Sequence, residues 1–192
     1  MLRSALTASI FLLAIAGSPF AQTATPTPTP EPTPVPNTVD LSKFKGRYHG
    51  SSRVSLDSGA LHLGTSKTRV SQTAPNALTI KIEARIRPAG QSISIGNRID
   101  FSADGVVRGL NLAPGILRNA KFSGLYTATS TRVIQFSGNY KKGKLEGHFT
   151  GIARAGLHGH FALQCSIFPG ESLVAAFVYR YTGQVSATHS SK

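Results

Sequence analysis

Three of the chain's six histidines fall within residues 145–161, LEGHFTGIARAGLHGHF. His158 and His160 form a His-x-His pair, and His148 lies ten residues upstream of His158. On a strand, alternate residues share a face, so such a pair can present two imidazoles to one metal. A catalytic zinc needs a third ligand and an open position for water. His148, His158 and His160 are therefore the candidate metal ligands. The alternative is a solvated polar face. Histidines also gain charge on mild acidification. Beside Lys141, Lys142, Lys144 and Arg154, the candidate anion-binding surface, they would strengthen attraction to polyanions.

Other chemistry is thinly supplied. The carboxylates after residue 38 are Asp40, Asp57, Glu83, Asp100, Asp104, Glu146 and Glu171, and no two pair as acid and base. No Gly-x-Ser-x-Gly elbow occurs. Cys165, the single cysteine, shares strand parity with Phe161 and Leu163, which predicts a buried core thiol. The balance leans away from an enzyme, and no cofactor is expected.

The charge is lopsided. Lys and Arg number 21 against 8 Asp and Glu, a formal net charge of +13. That favours anionic partners and says nothing of fold. The denser groups are Lys43, Lys45, Arg47 and Arg53, then Lys81, Arg85 and Arg87, then Lys141, Lys142 and Lys144. No nucleic-acid-binding motif accompanies them.

The elements that would hold these residues follow a simple plan. Arg3 precedes an apolar run over residues 5–17, shorter than a membrane-spanning helix needs. Small residues follow, so residues 1–21 read as a signal peptide, cut after Ala21 with Ala16 as the other option. The chain is then exported, periplasmic or extracellular, and keeps no transmembrane helix. Residues 22–38 carry proline at nearly every second position and read as an extended Pro/Thr-rich linker. If the leader is retained, that linker is a spacer from a membrane. A domain over 39–183 and a flexible tail over 184–192 complete the plan.

Within the domain, LTIKIEARIRP at 78–88 alternates apolar and charged residues as a half-buried strand does. A hairpin is expected around Asp104-Gly105. Phe-x-Gly-x-Tyr occurs three times, at Phe44-Gly46-Tyr48, Phe122-Gly124-Tyr126 and Phe136-Gly138-Tyr140. Each triplet would show one face if it lies in a strand. A loop at Thr129–Thr131 would pair Tyr126 with Ile134 and Gly124 with Phe136. A loop at Lys142-Gly143 would pair Tyr140 with Leu145, Gly138 with Gly147 and Phe136 with Phe149. A turn at Arg154–Gly156 would pair Phe149 with Phe161 and Gly147 with Leu163. Leu145, Leu157, Gly147 and Gly159 then join the inner face, and residues 172–181 make a further strand. Roughly 8 to 11 strands with one apolar face must close or fold back. The expectation is an all-β, antiparallel up-and-down barrel, with a β-sandwich as the alternative. Tyr48, Phe122, Tyr126, Phe136, Tyr140, Phe149 and Phe161 would line its interior.

The opening strand, VDLSKFKGRYHG, resembles the start of the lipocalins in its Asp40, Phe44 and Gly46-x-Tyr48. Tyr48 stands where that family has Trp, and Arg180 loosely matches its last-strand arginine. The resemblance implies a barrel holding a small apolar molecule. Three functions follow: a non-enzymatic exported barrel binding such a molecule inside or an anionic glycan or lipid surface outside; a surface-interaction module displayed on the proline-rich spacer; and a metal-dependent enzyme using the histidines.

Overall fold

The computed structural model describes residues 33–55, 61–87, 91–110, 112, 117–169 and 179–187. The expected signal peptide and most of the expected linker lie outside them. The strands are β1 (Gly46–Ser55), β2 (Leu61–Ala74), β3 (Ala77–Ile86), β4 (Ile93–Phe101), β5 (Val106–Leu110), β6 (Lys121–Ser130), β7 (Val133–Lys142), β8 (Leu145–Ala155), β9 (His160–Pro169) and β10 (Tyr179–Ala187). Each pairs antiparallel with its neighbours in sequence, and β10 pairs with β1. The ten described strands close into an up-and-down barrel, and the sandwich alternative falls. No helix among the described residues is long and apolar enough to cross a membrane.

Alternation sets the faces as expected. Leu78, Ile80, Ile82, Ala84 and Ile86 of β3 are buried, while Lys81, Glu83 and Arg85 are exposed. The β4–β5 hairpin turns at Ser102–Gly105, with Gly105 at φ +83° and Phe101 paired to Val107.

Three registers differ from the sequence expectation, each by an even number of residues, so every strand residue keeps its face. Across β6–β7, Tyr126 pairs with Phe136 and Gly124 with Gly138, with an irregularity between Ala128 and Ser130. Across β7–β8, Tyr140 pairs with Gly147, Gly138 with Phe149 and Phe136 with Gly151. The reason is steric. The Tyr140 ring lies over Gly147 and the Phe136 ring over Gly151, filling space that a Cβ would occupy. Across β8–β9, Ala155 pairs with Phe161 and Phe149 with Ile167, because β8 continues through Arg154 and Ala155. The reversal is a 3-10 turn at Leu157–Gly159, with His158 at φ +53° and Gly159 at +74°. Leu157, expected inside, is 65% exposed in that turn. The described part of the last strand, Tyr179–Ala187, runs past the boundary expected at residue 183, and the earlier part of the expected strand, residues 172–178, lies outside the described residues.

One end of the barrel is sealed by the residues that precede β1. Phe44 sits in a 3-10 helix (Ser42–Phe44) rather than in the strand, and both it and Leu41 are fully buried. The Leu41 N–H donates to the Pro75 carbonyl at 2.8 Å, and the Asn37 N–H to the Ala103 carbonyl at 2.9 Å. Asn37 and Asn76 exchange side-chain-to-backbone bonds. The end of the proline-rich segment is thus tied to the β2–β3 and β4–β5 turns.

Candidate functional site

The seven nominated interior aromatics come together, as one packed cluster. All are at most 5% exposed. Tyr48 stacks on Phe161 at 5.1 Å, and Phe122 meets Tyr140 and Phe149 at 5.5 Å each. Phe101 bridges Tyr126 and Phe136 at 5.1 and 5.4 Å. Such edge-on and offset contacts are how aromatic rings fill a core. The Tyr48 hydroxyl donates to the Phe44 carbonyl at 2.7 Å. The Tyr126 hydroxyl bonds the carbonyls of Ser102 and Asn76 at 2.7 and 3.0 Å. Burial pushes the phenol pKa of Tyr48, Tyr126 and Tyr140 upward. Backbone carbonyls thus engage the Tyr48 and Tyr126 hydroxyls, while Tyr126 and Phe136 also line the groove on the β6–β9 wall.

A different part of the interior is more polar. Thr68, Ile82 and Asn97 are successive register partners on β2, β3 and β4, with Ser66 and Ser52 nearby on the same face. All are buried, and neither side-chain atom of the Asn97 amide has a hydrogen-bond partner.

The histidines are not brought together. His148 pairs with Asn139 and Phe168, its ring stacked on Phe168 at 4.7 Å. His160 opens β9, so along that strand the two histidine positions are roughly 25 Å apart. His158 belongs to the turn beyond. Among the described residues, no three His, Cys, Asp or Glu stand close enough to hold a metal. The expected triad rested on a register that the longer β8 displaces. The anion-binding group divides as well, along the length of β8. Lys141, Lys142 and Lys144 lie at the β7–β8 reversal, whereas Arg154 is at the far end of β8, roughly 30 Å away. Lys141 also faces Glu146.

The charge concentrates elsewhere, on the outer wall of β1–β4. Arg47 pairs with Arg69, Arg69 with Lys81, and Lys81 with Arg98. These four exposed cations form one row crossing four adjacent strands, with neighbours about 4.8 Å apart along the hydrogen-bonding direction. The next row holds His49, Lys67 and Glu83, and the one beyond it Ser51, Thr65, Arg85 and Ser94. Arg98 is held by Asp100 at 2.8 Å, and Asp100 accepts a bond from the Thr79 hydroxyl at 2.6 Å. The opposite wall contrasts with it. Rows Leu125–Ser137–Thr150–Ser166 and Thr127–Gln135–Ile152–Gln164 on β6–β9 carry no formal charge and border an open groove of about 510 Å³.

Sequence reasoning places Arg47 and Lys81 in separate basic groups, puts Lys81 on a wet strand face, and picks out neither Arg69 nor Arg98. The row exists only once register is fixed. Its members come from four strands spread between residues 47 and 98.

No family model matches the chain, and no curated protein does. Among solved structures, the crystal structure of Rv2717c from M. tuberculosis is similar, with 13% sequence identity and a TM-score of 0.48. The match covers 75% of this chain and 94% of that one. At that level nothing about function follows.

Proposed function

We propose that this chain is an exported, non-enzymatic β-barrel that binds anionic surfaces through the outer wall of β1–β4. The observation that carries the reading is the Arg47–Arg69–Lys81–Arg98 row. Like charges directly opposite one another destabilise a sheet, and Asp100 pairs only Arg98, so the alignment of Arg47, Arg69 and Lys81 is costly unless a partner neutralises them. Export rests on the leader-like residues 1–21 and the proline-rich stretch after them.

The test is retention on an anionic matrix across a salt gradient. The variant Arg47→Gln/Arg69→Gln/Lys81→Gln/Arg98→Gln is compared with the charge-matched Lys121→Gln/Lys141→Gln/Lys144→Gln/Arg154→Gln, both checked for folding by circular dichroism. The first loses retention and the second keeps most of it. Equal loss in both reduces the wall to a share of general basicity.

One observation favours a second reading, a small molecule held inside that is largely apolar, as the lipocalin resemblance implies, but carries one polar group. The buried Asn97 amide offers a donor and an acceptor that no protein group uses. Leaving such a group unpaired costs about 1–3 kcal/mol. Native mass spectrometry of untreated protein would show a co-purifying mass lost in Asn97→Leu. The bare protein mass in both sinks this reading.

A further inference from the structure

We infer that the partner of the cationic wall is a linear, flexible anionic polysaccharide, laid across the strands along the Arg47–Arg69–Lys81–Arg98 row. The inference rests on the proposed anion-binding wall and names its ligand class.

Curvature is the first argument. The row crosses four consecutive strands of a closed barrel of ten. With the strand tilt of a closed barrel, three strand intervals of ten carry the row around roughly 60° of the circumference, so the cations lie on a shallow convex arc. A planar bilayer meets such an arc tangentially, so its closest contact is with the middle of the row. A stiff duplex has the same difficulty. A flexible chain follows the arc and meets all four cations.

The second argument separates flexible polyanions. Proteins that hold single-stranded nucleic acid without sequence preference interleave cations with exposed aromatic rings on which bases stack. The exposed residues of β1–β4 include no Phe or Tyr, and Trp is absent from the chain. The row beside the cations holds His49, Lys67 and Glu83 instead, and the row beyond it the hydroxyls of Ser51, Thr65 and Ser94 with Arg85. Hydroxyls and a lone carboxylate complement the many hydroxyls of a sugar chain.

The third argument is the pairing chemistry. Three of the four row residues are arginine, whose planar guanidinium binds carboxylate or sulfate through two parallel hydrogen bonds. The spacing between strands, on the order of 5 Å, is about the length of one sugar along a linear glycan. Successive cations therefore meet successive sugars.

The experiment measures binding of heparin and polygalacturonate, of oligothymidylate, and of phosphatidylglycerol-containing vesicles, all at one ionic strength. Wild type is expected to hold at least one polysaccharide most tightly per unit charge. The Arg47→Gln/Arg69→Gln variant should weaken that by roughly tenfold or more, and Arg47→Lys/Arg69→Lys should recover only part. If oligothymidylate or vesicles bind as tightly through the same residues, the polysaccharide assignment falls and the anion-binding wall stands. If no probe depends on these residues, both fall.

Discussion

Gly124 and Gly138 face each other across β6 and β7, and each stands where a Cβ on the other would project. The two Phe-x-Gly-x-Tyr triplets are therefore paired head to tail, Phe122 against Tyr140 and Tyr126 against Phe136, with bare backbone at the crossing point. The neighbouring carbonyls of Ser123 and Ser137 occupy the remaining space.

Adding one methyl group there forces the strands apart. Gly124→Ala or Gly138→Ala should lower unfolding free energy by roughly 2–3 kcal/mol, the scale of overpacking a core. Gly96, on the outer wall, has open space where its Cβ would go and needs no left-handed backbone. Gly96→Ala should leave stability unchanged or raise it by up to about 1 kcal/mol. Urea unfolding of the three variants decides it, and equal effects would refute the crossing-point account.

Tyr126 ties two turns to the sealed end of the barrel through one hydroxyl. Tyr126→Phe keeps the ring and its contact with Phe101 but removes the donor shared by two carbonyls, leaving the Ser102 carbonyl its bond from the Gly105 N–H and the Asn76 carbonyl its bond from the Asn37 amide. A loss of about 1–2 kcal/mol is expected, with faster hydrogen exchange at the Asn37 and Leu41 amides. Unchanged exchange would mean that the N-terminal seal holds independently of this hydroxyl.

The cation row has a cost in the free protein. Replacing its central Arg69 with Thr should stabilise the fold by up to about 1 kcal/mol at low salt, and the gain should shrink as salt screens the charges. Thermal denaturation at two ionic strengths measures it. A loss of stability at low salt would show that the Arg69 side chain contributes packing that outweighs the repulsion.

Cys165 is 1% exposed on β9, and burial pushes its thiol pKa up to about 12. The folded value lies above that of an exposed thiol, about 8.5. The contribution to stability is therefore complete below pH ~8.5 and is lost as pH rises toward the folded value. Native protein at pH 8 should react with iodoacetamide far more slowly than in urea. Between pH 8 and 10, wild type should lose more stability than Cys165→Ala. Rapid native alkylation would contradict both statements.

The faces of the barrel were legible in the sequence because alternation is a local property. β3 shows it plainly, with five buried apolar residues interleaved with charge. Register was not, because it depends on which turn wins. At residues 156–159 the backbone spends left-handed conformations on His158 and Gly159 rather than on Gly156, and the histidine cluster dissolves as a result. Glycine positions held the missing information. Gly147 and Gly151 on β8 fall where the Tyr140 and Phe136 rings need room, and that fit selects the observed pairing. The cation row could not be read at all from separate strands, since it is a property of four registers acting together.

The pairing of β1 with β10 has a consequence for how the polypeptide could be rewired. Tyr48 near the start of the barrel is a register partner of Ala187 near its end. The ordered fold is thus a ring of hairpins whose genetic start point is one gap among several. Joining the end of β10 to the start of the segment that precedes β1, so that Leu41 and Phe44 keep their buried places, and opening the chain at the Lys142–Lys144 reversal should give a circular permutant with the same wall, the same core and a different first residue.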